Sequence, residues 1–187
     1  MQPIKEQIKN SIEAMSTLSE SDIMAASKIL VDCLKRGNKI LVAGNGGSAS
    51  DASHMAGELV GRFKKERKGL PCIALTTDTS VITAWSNDYD FSTLFSRQIE
   101  ALGKPGDVFI GISTSGNSEN IIKAVDQARL QGMEVVLLLG KDGGRLGETN
   151  ACSVLVKSND TPRIQESHIL VIHLWCDIIE NELFKEG

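Results

Sequence analysis

The sequence predicts an α/β protein built on a five-stranded parallel sheet with helices on both faces. Three observations predict it. Five short, largely apolar runs recur along the chain, at Lys39–Ala43, Cys72–Leu75, Asp107–Ile112, Glu134–Leu139 and Cys152–Val156. Helical patterns lie between them, and strand–helix alternation with strands this apolar means a parallel sheet covered on both sides. Polar loops rich in glycine or serine directly follow the first and third runs.

Two helices precede the sheet. Pro3 suits a first helical turn, and Ile4, Ile8, Ile12 and Met15 recur at helical spacing. Ser19 or Ser21 caps a second helix that runs to Lys35 and ends at Gly37. After the first strand comes Gly44-Asn45-Gly46-Gly47-Ser48, where Ser48 and Asp51 have the S-x-x-D spacing of a capping box and predict a helix start. Ile121, Ile122, Ala124, Val125 and Ala128 mark a further helix, ended by Gly132. Pro162–Phe184 reads as a long last helix, apolar nearly all round from Ile169 to Cys176 apart from His173. A helix apolar on every face is buried on every face. A partner chain is therefore expected to cover it, most simply another copy. No linker, low-complexity tract or tandem repeat divides the 187 residues, so a single domain 1–187 is expected. Residues 1–37 form a helical extension on the core or on a neighbouring subunit.

Composition narrows the function. A 41% hydrophobic and 24% charged chain is that of an ordinary soluble globule. Twenty basic against 24 acidic residues give a formal net charge of −4, and Lys64–Lys68 is the only dense basic run, which argues against a nucleic-acid partner. Two Trp, one Tyr and five Phe are too few for a base-stacking platform. Cys33, Cys72, Cys152 and Cys176 form no C-x-x-C pair and read as small buried hydrophobes in a reducing compartment. MQPIKEQIKN has no apolar signal region, and no apolar run reaches the roughly 18 residues of a membrane span. A cytoplasmic protein with no membrane contact is expected.

Two loops carry the candidate chemistry. The glycine loop lets backbone approach a ligand, and a helix N-terminus offers N–H groups to an anion. Gly44, Gly46 and Ala49 fit a loose dinucleotide pattern, but the acidic residue expected about 20 positions on is absent, and Asp78 comes too late. Ser113-Thr114-Ser115-Gly116-Asn117-Ser118 has four hydroxyls in six residues, where an ordinary cap needs one; this suits a phosphate held without metal or lysine. If their strands are adjacent, both loops face one crevice at the carboxyl ends of the strands.

On the helix after the glycine loop, Ala52, Met55 and Leu59 form the apolar side, while Asp51, His54, Glu58 and Arg62 form a polar strip. His54 and Glu58 meet over one turn and can share a metal or transfer a proton, although an ordinary solvated face has the same spacing. His173 sits in an apolar run, where an unpartnered ring costs on the order of 1–3 kcal/mol, so it has a partner, ordinarily a backbone carbonyl. Gln165 lies eight residues earlier, about 12 Å along a straight helix. One ligand shared by both needs long intervening groups or two subunits.

Together, AGNGGSASDASHMAGELVGRF, WSNDYDF, GISTSGNSENIIKAV, GKDGG and RIQESH resemble the phosphoheptose isomerases. These are sugar-isomerase (SIS) enzymes that convert sedoheptulose 7-phosphate to D-glycero-D-manno-heptose 7-phosphate. The resemblance implies a single SIS domain of flavodoxin-like character in a homotetramer, with active sites at subunit interfaces. It implies substrate contacts from Asn45, Gly46, Gly47, Glu58, Asn87, Asp88, Ser113, Thr114, Ser115, Ser118 and Gln165, the serine loop taking the phosphate. It also implies zinc at His54, Glu58, Gln165 and His173, with Glu58 as base and His173 as acid in an enediol isomerisation. His168, five residues before His173, is left by default as a residue that supports the site or is purely structural. A related group of non-catalytic SIS tetramers, which associate with a DnaA-type replication initiator, resembles the chain too. Those proteins lose the acid at the Glu58 position and the histidine at the His173 position, and this chain keeps both.

Overall fold

A computed structural model describes residues 2–184. Helices α1 (Ile4–Met15) and α2 (Glu20–Lys35) lead into β1 (Ile40–Gly44) and α3 (Gly47–Val60). Then come β2 (Cys72–Ala74), α4 (Thr79–Asp88), a 3₁₀ turn at Phe91–Thr93, and α5 (Leu94–Leu102). The chain closes with β3 (Val108–Ser113), α6 (Glu119–Leu130), β4 (Glu134–Gly140), the short α7 (Gly144–Gly147), β5 (Cys152–Val156) and α8 (Thr161–Leu183). All five expected strands are present and pair in parallel in the order β2-β1-β3-β4-β5. The order reverses between β1 and β3, which is where open α/β sheets bind ligands. Gly44 pairs with Ile112, so the glycine and serine loops leave neighbouring strands at the same height.

Alternate strand residues feed two cores. Ile40, Val42, Val108, Ile110, Ile112, Val136 and Leu138 face α2, α3 and α8. Leu41, Ala43, Phe109, Val135, Leu137 and Leu139 face α5 and α6. Each fully buried Leu, Ile or Val is worth about 1.5–3 kcal/mol of transfer free energy, which is why strands this apolar can sit only in a doubly covered sheet. At the opposite end from the loops, buried Asp107 ties the strand starts together. Its carboxylate pairs with the Lys39 ammonium and accepts from the backbone N–H groups of Lys39 and Lys104.

Two details, at α3 and at α4 and α5, depart from the sequence-based expectation, and two more, at α8 and α1, agree with it and make it specific. First, α3 begins without the capping box. Gly46, at φ +56°, takes the N-cap position, and Ser48 lies buried inside the first turn. Second, α4 and α5 escape a reading by apolar period, because α4 buries no residue and α5 is only nine residues long. Third, α8 is buried on one face only within the chain. Val171, Ile172, Trp175, Cys176 and Ile179 are fully enclosed, Ile169 and Leu170 are half-buried, and Leu174 is exposed. Fourth, α1 packs on α8 in the same chain, where Ser11 donates to Glu166 Oε2 at 2.7 Å and Arg163 donates to the Gln7 carbonyl at 3.0 Å. Its Ile4, Ile8 and Ile12 point outward, 73%, 56% and 62% exposed.

Candidate functional site

The crevice is framed by two helix starts that no side chain caps, those of α3 and α6. By contrast, Ser19 caps α2 by accepting from the Asp22 N–H. Both framing helices thus turn the positive end of their dipole toward the crevice without a competing side-chain oxygen at the N-cap. The loops before them are locked together. The side-chain amides of Asn45 and Asn120 exchange hydrogen bonds at 2.9 and 2.8 Å. This occupies Asn45's amide in tying the glycine loop to α6 and leaves its backbone facing the crevice.

The serine loop is held from within. Ser113 and Ser118 hydroxyls bond each other at 2.9 Å, and the Gly116 N–H donates to Ser113 Oγ. Ser115 Oγ accepts from the Asn117 N–H, while the Asn117 amide donates to the Ser115 carbonyl. Gly116 has φ +66°, and a Cβ there would overlap the Gly143 carbonyl. Only glycine fits between the two loops. Thr114, Ser115 and Ser118 are half-buried, whereas Ser113 is buried.

About two and three turns into α3, His54 and Glu58 meet as their spacing predicts, with Nε2 3.0 Å from Oε1. His173 from α8 completes the group, its Nε2 3.4 Å from that of His54. The ligand atoms of all three lie within 4.8 Å of one another. Two imidazoles and a carboxylate are zinc-type donors, and tetrahedral Zn–N bonds near 2.0 Å imply donor separations of about 3.3 Å. The His54–Glu58 and His54–His173 spacings of 3.0 and 3.4 Å fit such an ion.

Gln165 stands elsewhere on α8. A Cβ on Gly47 would overlap its amide nitrogen, so this side chain lies against the glycine loop. Asn87 and Asp88 are exposed at the end of α4, where the Asn87 amide donates to Asp88 Oδ1 at 2.8 Å. Among the described residues their side chains bond none of the other candidate groups.

The histidines share out their partners unexpectedly. His173 has no backbone carbonyl; it faces His54 edge-on and stacks on Phe63, with ring centroids 5.6 Å apart and planes inclined by 26°. His168 has the carbonyl instead, its Nε2 lying 3.0 Å from Leu139 O. Burial pushes its pKa down to about 4 against that hydrogen bond, which fixes it as a neutral structural ring. Asp51, expected as a cap partner, has one buried oxygen without a partner. Burial pushes its pKa up to about 6, opposed by His54.

Sequence reasoning missed what holds this corner. The basic run Lys64–Lys68 is not a patch, because Arg67 within it is a buried cation. Its Nε bonds Glu180 Oε1 at 2.9 Å, and both side chains are 1% exposed. Its guanidinium also donates to the carbonyls of Glu58, Leu59 and Gly61, capping the end of α3. Glu180 further accepts the N–H groups of Phe63, Lys64 and Lys65, each at 2.9 Å. Burial pushes the Glu180 carboxyl up, but these donors outweigh it and hold its pKa below the usual carboxylate range. The available signal was an acid seven residues after His173, directly after the apolar pair Ile178 and Ile179. A seam emerges, in which Gln165, His173 and Glu180 of α8 meet successive stations along α3 and the loop after it.

The SIS domain family model matches residues 5–140. The phosphoheptose isomerase of Citrifermentans bemidjiense is 53% identical over 187 aligned positions, which cover 98% of this chain and 97% of that one. Among solved structures, the phosphoheptose isomerase from Neisseria gonorrhoeae aligns with a TM-score of 0.89 and 42% identity, over 95% of this chain and 97% of that one. The Francisella tularensis phosphoheptose isomerase gives 0.88 and 42%, over 95% and 94%.

Proposed function

The chain belongs to the phosphoheptose isomerases of the SIS domain family, and from that premise we propose that it interconverts sedoheptulose 7-phosphate and D-glycero-D-manno-heptose 7-phosphate through an enediol. This is the first step of nucleotide-activated heptose synthesis. The observation that carries the reading is the convergence of His54, Glu58 and His173 on the helix that leaves the glycine loop. A non-catalytic, initiator-binding role would not need that group.

The serine loop and the open start of α6 receive the phosphate, with Thr114, Ser115 and Ser118 hydroxyls as donors and Ser113 bracing the loop. Backbone of Asn45, Gly46 and Gly47 and the Gln165 amide bind sugar hydroxyls, and Asn87 and Asp88 contribute further polar contacts. Glu58 removes the proton from the carbon next to the carbonyl and returns it to the neighbouring carbon. Its Oε1 faces His54, which leaves Oε2 for the substrate. His173 moves the proton between the two oxygens. Where His54, Glu58 and His173 hold zinc, with Gln165 as the fourth candidate, the ion would instead supply polarisation of the carbonyl and enediolate oxygens, because a ligated imidazole nitrogen has no free lone pair for a proton.

The outward Ile4, Ile8 and Ile12 stripe and the uncovered side of α8 support assembly into a homotetramer. So does an apolar groove of about 640 Å³ beside edge strand β2, lined by Ile73, Val81, Trp85 and Leu102. No described helix is long and apolar enough to cross a membrane, and the cysteines are free, which supports a cytoplasmic setting. The test is incubation with sedoheptulose 7-phosphate while following the aldose product, alongside Glu58→Gln and His173→Gln. Turnover by the parent and loss in both variants is expected. Full activity in both would sink the residue assignment, and a parent that does not turn over but binds an initiator protein would favour the non-catalytic role.

A further inference from the structure

We propose that Phe63 is a positioning residue for the isomerisation, a flat wall that sets the plane of the His173 ring, and that the buried Arg67–Glu180 pair exists to hold that wall in place. The inference rests on the isomerase reading above. A histidine edge that moves protons between two oxygens must keep a fixed plane, yet His173 has no backbone carbonyl to orient it. Its ring is bounded by His54 on its edge, at a centroid distance of 5.1 Å and 68°, and by Phe63 on its face, at 5.6 Å and 26°. A face contact blocks rotation about the ring's own bond, which an edge contact alone does not.

Phe63 lies beyond the end of α3, in a segment with no regular structure of its own. Such a segment drifts unless its backbone is tied. Here three consecutive N–H groups, those of Phe63, Lys64 and Lys65, all end on the Glu180 carboxylate. Arg67 neutralises that carboxylate and at the same time grips the carbonyls of Glu58 and Leu59. One buried pair therefore fixes the wall behind His173 relative to the helix that carries Glu58. Glu180 and His173 are seven residues apart on one helix, two turns along the same face. The acid is thus placed on the element whose histidine it indirectly orients.

The experiment compares Phe63→Leu, which keeps apolar bulk but removes the flat face, with Phe63→Tyr, which restores it. In Phe63→Leu, kcat is expected to fall about tenfold to a hundredfold, the scale of a small misplacement of a reacting group. KM for sedoheptulose 7-phosphate should stay within about twofold, because the phosphate loop is untouched. Phe63→Tyr should recover most of kcat. In protein labelled with ¹³C-histidine, the His173 ring resonance, one of only three histidine signals, should move downfield in Phe63→Leu and return in Phe63→Tyr. Wild-type kcat in a folded Phe63→Leu, an equal loss in both variants, or an unmoved His173 resonance would each overturn the proposal. A parent without turnover would instead count against the isomerase reading, and the resonance comparison would still judge the wall.

Discussion

Substituting Gly116 by alanine should damage the serine loop more than its small size implies. Two costs add. At φ +66° an alanine pays for the left-handed backbone, about 1–2 kcal/mol. Its Cβ would also overlap the Gly143 carbonyl and lie 2.9 Å from Gly144 N, both backbone atoms that cannot rotate away. Forcing such a shift in packed structure costs roughly 1–3 kcal/mol. The sum is about 2–5 kcal/mol, and at about 2–4 °C per kcal/mol for a chain of this length, Tm should fall by roughly 4–20 °C. Because the loop must open to relieve the overlap, KM for the sugar phosphate should rise while kcat changes less, as the proposed phosphate role of this loop requires. Differential scanning calorimetry and initial-rate kinetics measure both. Gly57→Ala is the control: nothing lies within 4 Å of its Cβ and its φ is ordinary, so its helix should gain about 0.5–1 kcal/mol. A Gly116→Ala protein that melts within 2 °C of the parent (roughly the shift from half a kcal/mol) would refute the argument.

Gly47→Ala acts differently. Its Cβ would meet only the end of the Gln165 side chain, which can swing aside, so Tm should hold while substrate affinity drops; a lost fold would show the loop to be less adaptable. Glu180→Gln strands the buried Arg67 cation and should cost about 3–5 kcal/mol in chemical denaturation, and a cost under about 1 kcal/mol would mean water reaches Arg67. Acid should destabilise the protein through His168. Its folded pKa of about 4 lies below the unfolded 6.5, so the unfolded chain binds the proton first, and stability falls between pH 6.5 and 4, in total by about 3 kcal/mol. Asp51, raised to about 6 from 3.8, has the opposite sign: the folded chain takes its proton first, and stability is lost as pH rises through 6. Asp51→Asn should therefore steepen the acid loss seen in denaturant melts across pH 4–6.5, and an unchanged slope would contradict this pairing.

Much of this was legible before any coordinates. The five apolar runs named their strands because a doubly buried strand leaves no room for polar residues. The pair His54 and Glu58 was readable from helical spacing, and the serine loop from an excess of hydroxyls over what a cap needs. The true start of α3 was not readable, because a glycine N-cap has no side chain to advertise it while Ser48 and Asp51 imitate one. Nor was the division of labour between His168 and His173. Both sit on the same helix, and only the packing of α8 against β4 decides which one meets Leu139. Arg67 and Glu180 are 113 residues apart, and nothing local marks a cation in a basic run as the buried one.

The two helices that bring His54, Glu58 and His173 together are made at very different times. His54 and His173 are 119 residues apart, and α8 follows all five strands. A growing chain leaves the ribosome with His54 and Glu58 long before their partner exists, at about 5–20 residues per second. For several seconds the nascent protein has His54 and Glu58 side by side on α3 with no His173 to join them. Only the arrival of the last helix adds the third donor and, through Glu180, pins the segment behind it. On the proposed function, catalytic competence would be tied to completion of synthesis, since a chain cut short before α8 would keep the glycine and serine loops but lack His173.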